Sequence, residues 1–301
     1  MTSWTAADAP DQTGRTALVT GANSGLGLQT TLALARKGAR VLMACRDRDR
    51  GQAALQRVTH EVPSASLELV ELDLADLGSV QAAADDVQTR TATLDLLLDN
   101  AGVMATPQLR TADGFEMQLG TNHLGHFALT GRLLPLLLAA PAPRVVVVSS
   151  GAHRIGAMRF EDLQSERAYS RWGAYGQSKL ANLLFARELG RRCPALLVAA
   201  AHPGYAATHL QNGHGSSLLA GVMKVGNAVL AQSDEDGALP SIYAATMPDV
   251  RTGDYWGPGV LELRGAPKRV GRSRAACDDA AARRLWEESE RLTGVVYATA
   301  G

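Results

Sequence analysis

Tyr175 and Lys179 stand four residues apart in AYGQSKLANLLFARELG. On a helix that spacing places both side chains on one face. A phenol beside an ammonium is a candidate proton donor: the cation favours phenolate, so a group of reference pKa ~10 is expected to exchange its proton nearer neutral pH. Reduction of a carbonyl needs such an acid, with hydride going to carbon and a proton to oxygen. Tyr-x-x-x-Lys also occurs on solvated helix faces, so the pair needs elements that place it beside a hydride donor.

The first such element lies near the start, in GRTALVTGANSGLGLQTTLALARKGARVLMACR. Ala17 to Thr20 is a short apolar run expected as a buried strand, broken at Gly21. Gly25 and Gly27 precede a helical pattern carrying Leu28, Leu32 and Ala35, and a second strand is expected from Arg40 to Ala44. Glycines at the first turn of a βαβ unit let backbone N–H groups and a helix N-terminus approach a pyrophosphate. The candidate contacts are Gly21, Asn23, Ser24, Gly25, Leu26 and Gly27.

Six segments then occur in register: TGANSGLG at 20–27, DNAG at 99–102, NHLGHF at 122–127, VVVVSSGAH at 145–153, YGQSK at 175–179 and HPGYAAT at 202–208. Their order resembles the short-chain dehydrogenase/reductase family. CRD at 45–47, SSGAHRIG at 149–156 and YGQSKLANLLFARELG at 175–190 resemble its retinol-dehydrogenase-like branch. The motifs span residues 14 to 210, and the substrate is not encoded in them.

The rest of the chain is compatible with one domain over 1–301, preceded by an N-terminal extension at 1–13. Strands are expected at 67–73, 95–98, 144–148 and 196–200, with helices at 80–92, 122–138, 174–192, 234–246 and 283–292. The long helix carries an apolar stripe at Leu124, Phe127, Leu134 and Leu138. A last strand falls within 253–270. The expected fold is α/β: a Rossmann-type, doubly wound parallel sheet of about seven strands, with helices on both faces.

Composition narrows the function classes. Lys plus Arg and Asp plus Glu are equal at 30 each, which gives no nucleic-acid footprint. Cys45, Cys193 and Cys277 are far apart and suggest neither a disulfide framework nor a zinc site. The N-terminus lacks the apolar core of a signal peptide. No apolar run approaches the roughly 18–20 residues of a membrane span. A cytoplasmic protein without an integral membrane segment is the expectation, in contrast to the N-terminal anchor that animal retinol dehydrogenases often carry.

By the resemblance, Tyr175 is the acid/base, and Lys179 lowers its pKa and holds the nicotinamide ribose. Ser150 polarises the carbonyl. Ser149 and Ser150 could also be simple turn serines at a carboxyl strand edge. Asn122 opens the long helix in this reading, as N-cap, as support for a proton-relay water near Lys179, or as both. His123 and His126 sit near each other without a third ligand at a recognisable spacing, so no metal is expected. Asp73 and Leu74 at the end of the third strand, Asn100, Ala101 and Gly102 after the fourth, and Pro203, Gly204 and Thr208 after the sixth complete the expected cofactor site, together with Tyr175 and Lys179. Asp99 replaces the first Asn of the NNAG found in many relatives.

The end of the second strand bears on cofactor choice. Cys45 takes the place of an acidic residue that would hold the ribose 2′-hydroxyl of NAD, and Arg46 could pair with a 2′-phosphate. NADP(H) is therefore preferred over NAD, although Asp47 could tie Arg46 up. The segment 154–172 resembles the branch's own insertion and is expected to form a wall of the substrate pocket. Residues 208–233 suggest an apolar substrate lid, with a core or dimer helix as the alternative. The long helices could also serve a homodimer or homotetramer. The activity expected is interconversion of an alcohol and a carbonyl on a lipophilic small molecule. The alternatives are reduction of an activated carbon–carbon double bond and a non-catalytic NADP(H)-binding sensor.

Overall fold

The computed structural model describes residues 4–204 and 233–298. Thr208 and the expected lid at 208–233 lie outside them, save Ser233. From β1 (Thr16–Thr20) the chain passes through α1 (Gly25–Arg36), β2 (Arg40–Cys45), α2 (Arg48–Glu61), β3 (Ser66–Glu71), α3 (Leu77–Arg90) and β4 (Leu96–Asp99). A short turn at Met117–Leu119 and a π-helical turn at Gly120–Leu124 run directly into α4 (Gly125–Ala139). Then come β5 (Arg144–Val148), α5 (Arg171–Arg192) and β6 (Leu197–Ala201). After these lie α6 (Asp234–Thr246), β7 (Tyr255–Val260), β8 (Arg264–Arg269) and α7 (Asp279–Thr293).

The strands form one sheet in the order β3-β2-β1-β4-β5-β6-β7-β8. Pairing is parallel as far as β7, and β8 folds back antiparallel at the edge. The sheet thus has eight strands where about seven were expected. The extra one, RGAPKR, is polar and contains Pro267, as suits an edge position. Because β1, β4 and β5 are covered on both faces, their apolar runs are continuous rather than alternating. Leu18, Leu42 and Leu97 face α3, α4 and α5. Val19, Val41 and Met43 face α1, α2 and α6 on the other side. The strand order switches from one side of β1 to the other between β1 and β4, where an open α/β sheet leaves a crevice at its carboxyl edge.

Local signals fix the helix ends. Asp47 accepts the Arg50 N–H at the start of α2, Asp76 accepts the Gly78 N–H at the start of α3, and Ser233 accepts the Asp236 N–H at the start of α6. Gly294, in the left-handed region at φ 68°, ends α7.

Helix α7 and the tail behind it cover the two long helices. Phe127 of α4 packs against Trp286 and Tyr297 at ring distances of 5.1 and 4.9 Å, and Phe185 of α5 stacks on Trp286 at 6.0 Å. Of the expected apolar stripe, Leu124, Phe127 and Leu134 are therefore buried within the chain, whereas Leu138 is exposed. Gly131 leaves room for the tail, since a Cβ there would lie 2.6 Å from the Tyr297 ring. The Tyr297 hydroxyl donates to the Phe127 carbonyl at 2.6 Å. Tyr297→Ala is expected to destabilise the fold by about 3–5 kcal/mol through the cavity it leaves. Urea denaturation measures this, and a loss below about 1 kcal/mol would show the tail to be peripheral.

Candidate active site

The carboxyl ends of β1, β4, β5 and β6 bring most of the expected site residues together. Gly21 and Gly25 have positive φ of 67° and 52°, which the tight turn after β1 requires. A Cβ at Gly27 would lie 2.7 Å from Asn100 Nδ2 and would also overlap the Gly21 carbonyl, so only glycine lets the turn fold onto the loop after β4. Ser24 caps α1 without a side-chain hydrogen bond to the first turn. Asn23, Ser24, Gly25 and Leu26 are half-buried around this helix end, where an anion is favoured.

Thr20 couples this turn to the β4 loop. Its Oγ1 accepts the N–H groups of Asn100 and Ala101, both at 2.9 Å. It also lies 2.9 Å from His126 Nε2, while His126 Nδ1 lies 3.0 Å from the Asn122 carbonyl. A carbonyl only accepts, so Nδ1 carries the hydrogen. Burial pushes the His126 pKa down to about 4, leaving Nε2 free to accept the Thr20 hydroxyl proton. His123 points elsewhere, to Ser289 Oγ at 2.8 Å. Neither imidazole is directed at a common ion, and no group of three His, Cys, Asp or Glu able to hold a metal occurs among the described residues. Asn100 donates to the Thr20 carbonyl at 2.8 Å, and its Oδ1 is buried without a partner among the described residues. The positive-φ glycines, the uncapped helix end and this orphaned acceptor together fit a dinucleotide.

Asn122 does not open the long helix. Glu116 does, its carboxylate accepting the Gln118 and Leu119 N–H groups, and Asn122 sits inside the π-helical turn. Its Oδ1 accepts the Val103 N–H at 2.8 Å, and its Nδ2 donates to the Val103 carbonyl and to Ser178 Oγ, both at 2.9 Å. The Ser178 hydroxyl donates to the Tyr175 carbonyl at 2.8 Å. A Cβ on Gly102 would lie 3.0 Å from Asn122 Oδ1 and 3.4 Å from Lys179 Nζ. The missing side chain allows the β4 loop, Asn122 and Lys179 to meet.

Lys179 is buried, and its ammonium donates to the Val148 carbonyl at 3.2 Å. Burial pushes its pKa down to about 8. Nζ lies 5.9 Å from the centre of the Tyr175 ring. The expectation that Lys179 draws the phenol toward neutral pH is not met. Burial raises the Tyr175 pKa above its ordinary value, while the Ser150 hydroxyl opposes the shift. Helical spacing gives proximity, and desolvation decides the sign.

Of the two serines, Ser149 is committed, its hydroxyl donating to the Lys179 carbonyl at 2.7 Å. Ser150 caps a 3-10 turn, accepting the Ala152 N–H at 3.2 Å, and interacts with Tyr175. The insertion at 154–172 is tied to the β4 loop by Gln118. Its Oε1 accepts the Ala105 N–H at 2.7 Å, and its Nε2 donates to Tyr169 Oη at 3.1 Å and to the Arg171 carbonyl at 2.9 Å. Trp172, half exposed at the start of α5, stands edge-on to Tyr175 at 5.9 Å. After β6, Gly204 has φ 73° and donates to His202 Nδ1 at 3.1 Å.

At the far end of the crevice Cys45 is buried, and burial pushes its thiol up to about 11. Arg46 is exposed and makes no ion pair among the described residues, because Asp47 is engaged in capping α2. Arg48, which the motifs did not single out, lines a groove of about 480 Å³ with Cys45 along the β3 edge. Glu68, Glu71 and Asp86 line the same groove. Asp73 Oδ1 accepts the Ala75 N–H at 2.9 Å, and Leu74 is buried.

Asp99 is fully buried at the end of β4. Its Oδ2 accepts the Thr130 hydroxyl at 3.0 Å, and its Oδ1 has no partner among the described residues. Desolvation raises its pKa to about 8. A folded-state pKa above the unfolded value means that the fold holds a proton the unfolded chain releases, so this group's contribution declines as pH rises from about 4 to about 8. Asp99→Asn cannot ionise. Its stability relative to the wild type, from urea midpoints, should improve between about pH 4 and about pH 8 and level off above that. Parallel pH profiles would show that Asp99 does not carry the buried proton.

Comparisons with known proteins agree with this architecture. The family model described as short chain dehydrogenase matches residues 15–217. Retinol dehydrogenase 14 of Mus musculus is 42% identical over 298 residues, which cover 94% of this chain and 87% of that protein. Polyprenol dehydrogenase of Mus musculus is 40% identical, with 95% and 85% covered. A crystal structure of an uncharacterized protein from Mycobacterium paratuberculosis superposes with a TM-score of 0.83 at 45% identity, covering 98% of this chain and 99% of that one. No helix among the described residues is long and apolar enough to cross a membrane.

Proposed function

This chain belongs to the short-chain dehydrogenase family and is an oxidoreductase of CH–OH groups, and from that premise we propose that it interconverts a lipophilic alcohol and its carbonyl with NADP(H). The observation that carries the reading is the meeting of Asn122 and Lys179 at Gly102 of the β4 loop, with Tyr175 beside Lys179 and in contact with Ser150. The nicotinamide, when bound, supplies or takes the hydride. Gly21, Asn23, Ser24, Gly25, Leu26 and Gly27 would hold its pyrophosphate side. Asp73, Leu74, Asn100, Ala101, Gly102, Pro203 and Gly204 would line the rest of its crevice.

Tyr175 gives its proton to the carbonyl oxygen. The raised pKa keeps the phenol protonated at neutral pH, the state that carbonyl reduction uses. Ser150 donates a hydrogen bond to the same oxygen and so favours the negative charge that develops there. Lys179 offers a buried positive charge and ammonium hydrogens to the ribose and to the phenolate left behind. The Asn122 side chain is committed to Val103 and Ser178. Its part in a proton relay falls to its carbonyl, which has a lone pair beyond the one His126 uses.

Support for a lipophilic substrate comes from relatives named for retinol and polyprenol and from the apolar face of Trp172 beside Tyr175. The insertion at 154–172, held to the β4 loop, forms the wall of that pocket. NADP(H) is favoured because Arg46 makes no ion pair among the described residues at the end of β2, and Cys45 removes the carboxylate that would repel a 2′-phosphate.

Tyr175→Phe should lower carbonyl reduction by about 10²–10⁴-fold while leaving NADPH binding nearly unchanged. Retained turnover would remove Tyr175 from the mechanism. Arg46→Ala should weaken NADPH binding by about 10-fold or more, the worth of a charge-assisted hydrogen bond, with little effect on NADH. Equal effects on the two cofactors, measured by fluorescence titration, would contradict phosphate recognition.

A further inference from the structure

His153, in the SSGAHRIG segment, is a fully buried imidazole that the proposed chemistry leaves unused. Its Nδ1 lies 2.7 Å from the Ser150 carbonyl, and its Nε2 faces the Ser273 N–H at 3.1 Å. The carbonyl only accepts and the amide only donates, so the ring is held as one neutral tautomer with its hydrogen on Nδ1. The His153 ring stands edge-on to Tyr255 at 5.6 Å. One side chain thus links the main chain of Ser150 to the loop that follows β8. Next to it, Arg154 donates to Glu262 at 2.9 Å and to the Gly271 carbonyl at 2.9 Å, joining the same two segments a second time.

The turn is fixed on its other side as well. A Cβ on Gly176 would lie 3.0 Å from the Ala152 carbonyl oxygen and 3.1 Å from Gly156 Cα. The Ser150–Gly156 turn therefore rests backbone to backbone on α5, at the residue that follows Tyr175. Ser150 Oγ takes the Ala152 N–H, which leaves its hydroxyl hydrogen for another partner.

We propose that His153 is a positioning residue for Ser150: by clamping the Ser150 carbonyl against the loop after β8, it sets where the serine hydroxyl stands relative to Tyr175. The idea rests on the reading that Ser150 polarises the substrate carbonyl. A misplacement of about 1 Å in such a constellation can cost roughly 100-fold in rate.

The test uses the full chain, NADPH and a long-chain unsaturated aldehyde. His153→Leu should lower kcat by about 10- to 100-fold, with KM and the NADPH dissociation constant within about threefold of the wild type. His153→Asn can still donate to the Ser150 carbonyl and should recover most of kcat. His153→Gln, reaching only toward Ser273, should not. In a Ser150→Ala background, His153→Leu should cost little more, because the residue acts through the serine. The proposal is overturned if His153→Leu keeps wild-type kcat, if its loss multiplies with that of Ser150→Ala, or if Asn does no better than Gln. Should His153→Leu fail to fold, the Asn and Gln pair decides. Full activity in Ser150→Ala would instead remove the role of Ser150, and this proposal with it. A loss in Ser150→Ala without any effect at His153 would overturn the positioning alone.

Discussion

Burying the Lys179 ammonium at the carboxyl edge of the sheet is the demand around which the surrounding elements are arranged. A buried cation is costly unless it finds acceptors. Here the Val148 carbonyl serves, shared with Asn182 Nδ2 at 3.0 Å. The end of β5 must therefore reach the middle of α5, and Ser149 reinforces that approach by donating to the Lys179 carbonyl. Glycine at 102 lets the β4 loop lie close to Asn122 and Nζ, since a Cβ there would press on Asn122 Oδ1 at 3.0 Å. An ammonium has three hydrogens and Val148 takes one, so the charge retains donors for a ligand entering the crevice. The same burial that brings its pKa down to about 8 also raises that of Tyr175, which keeps the phenol as an acid.

Two neutral histidines extend this frame. His126 joins Thr20, which holds the β4 loop amides, to the Asn122 carbonyl within the π-helical turn. His153 joins the Ser150 carbonyl to the loop after β8. In each, a main-chain carbonyl facing Nδ1 places the hydrogen there, and in His153 the Ser273 N–H on Nε2 fixes the tautomer from the other side as well. The glycine turn, Tyr175 and Ser150 are thus linked through buried polar contacts as well as through the sheet.

Much of this was legible in the sequence. The strands over 144–148 and the helix over 234–246 fall where their patterns place them. The glycine turn and the Ser–Tyr–Lys arrangement also follow from motif order. Other features depended on long-range contacts. Asn122 carries the statistics of an N-cap, but the chain enters the helix earlier at Glu116, a residue type that caps less often, and the asparagine is claimed by Val103 and Ser178. The second edge strand, β8, lacks an apolar alternation because little covers it. The sign of the Tyr175 shift depends on burial, which an i, i+4 spacing does not report. Thr20, His126 and His153 lay within quoted motifs, yet only their partners, distant in the chain, reveal what they hold.

The destination of the hydride separates alcohol–carbonyl interconversion from its alternatives, and isotopic labelling reads it. The full chain would be incubated with NADPH deuterated at the transferable position and with a panel of lipophilic aldehydes, ketones and enones, and the products read by mass spectrometry and NMR. The expected product of the proposed activity is an alcohol carrying deuterium on the carbinol carbon. Deuterium on the β-carbon of a saturated product whose carbonyl is intact would contradict it in favour of double-bond reduction. Tight NADPH binding without label transfer to any member of the panel would contradict it in favour of a sensor.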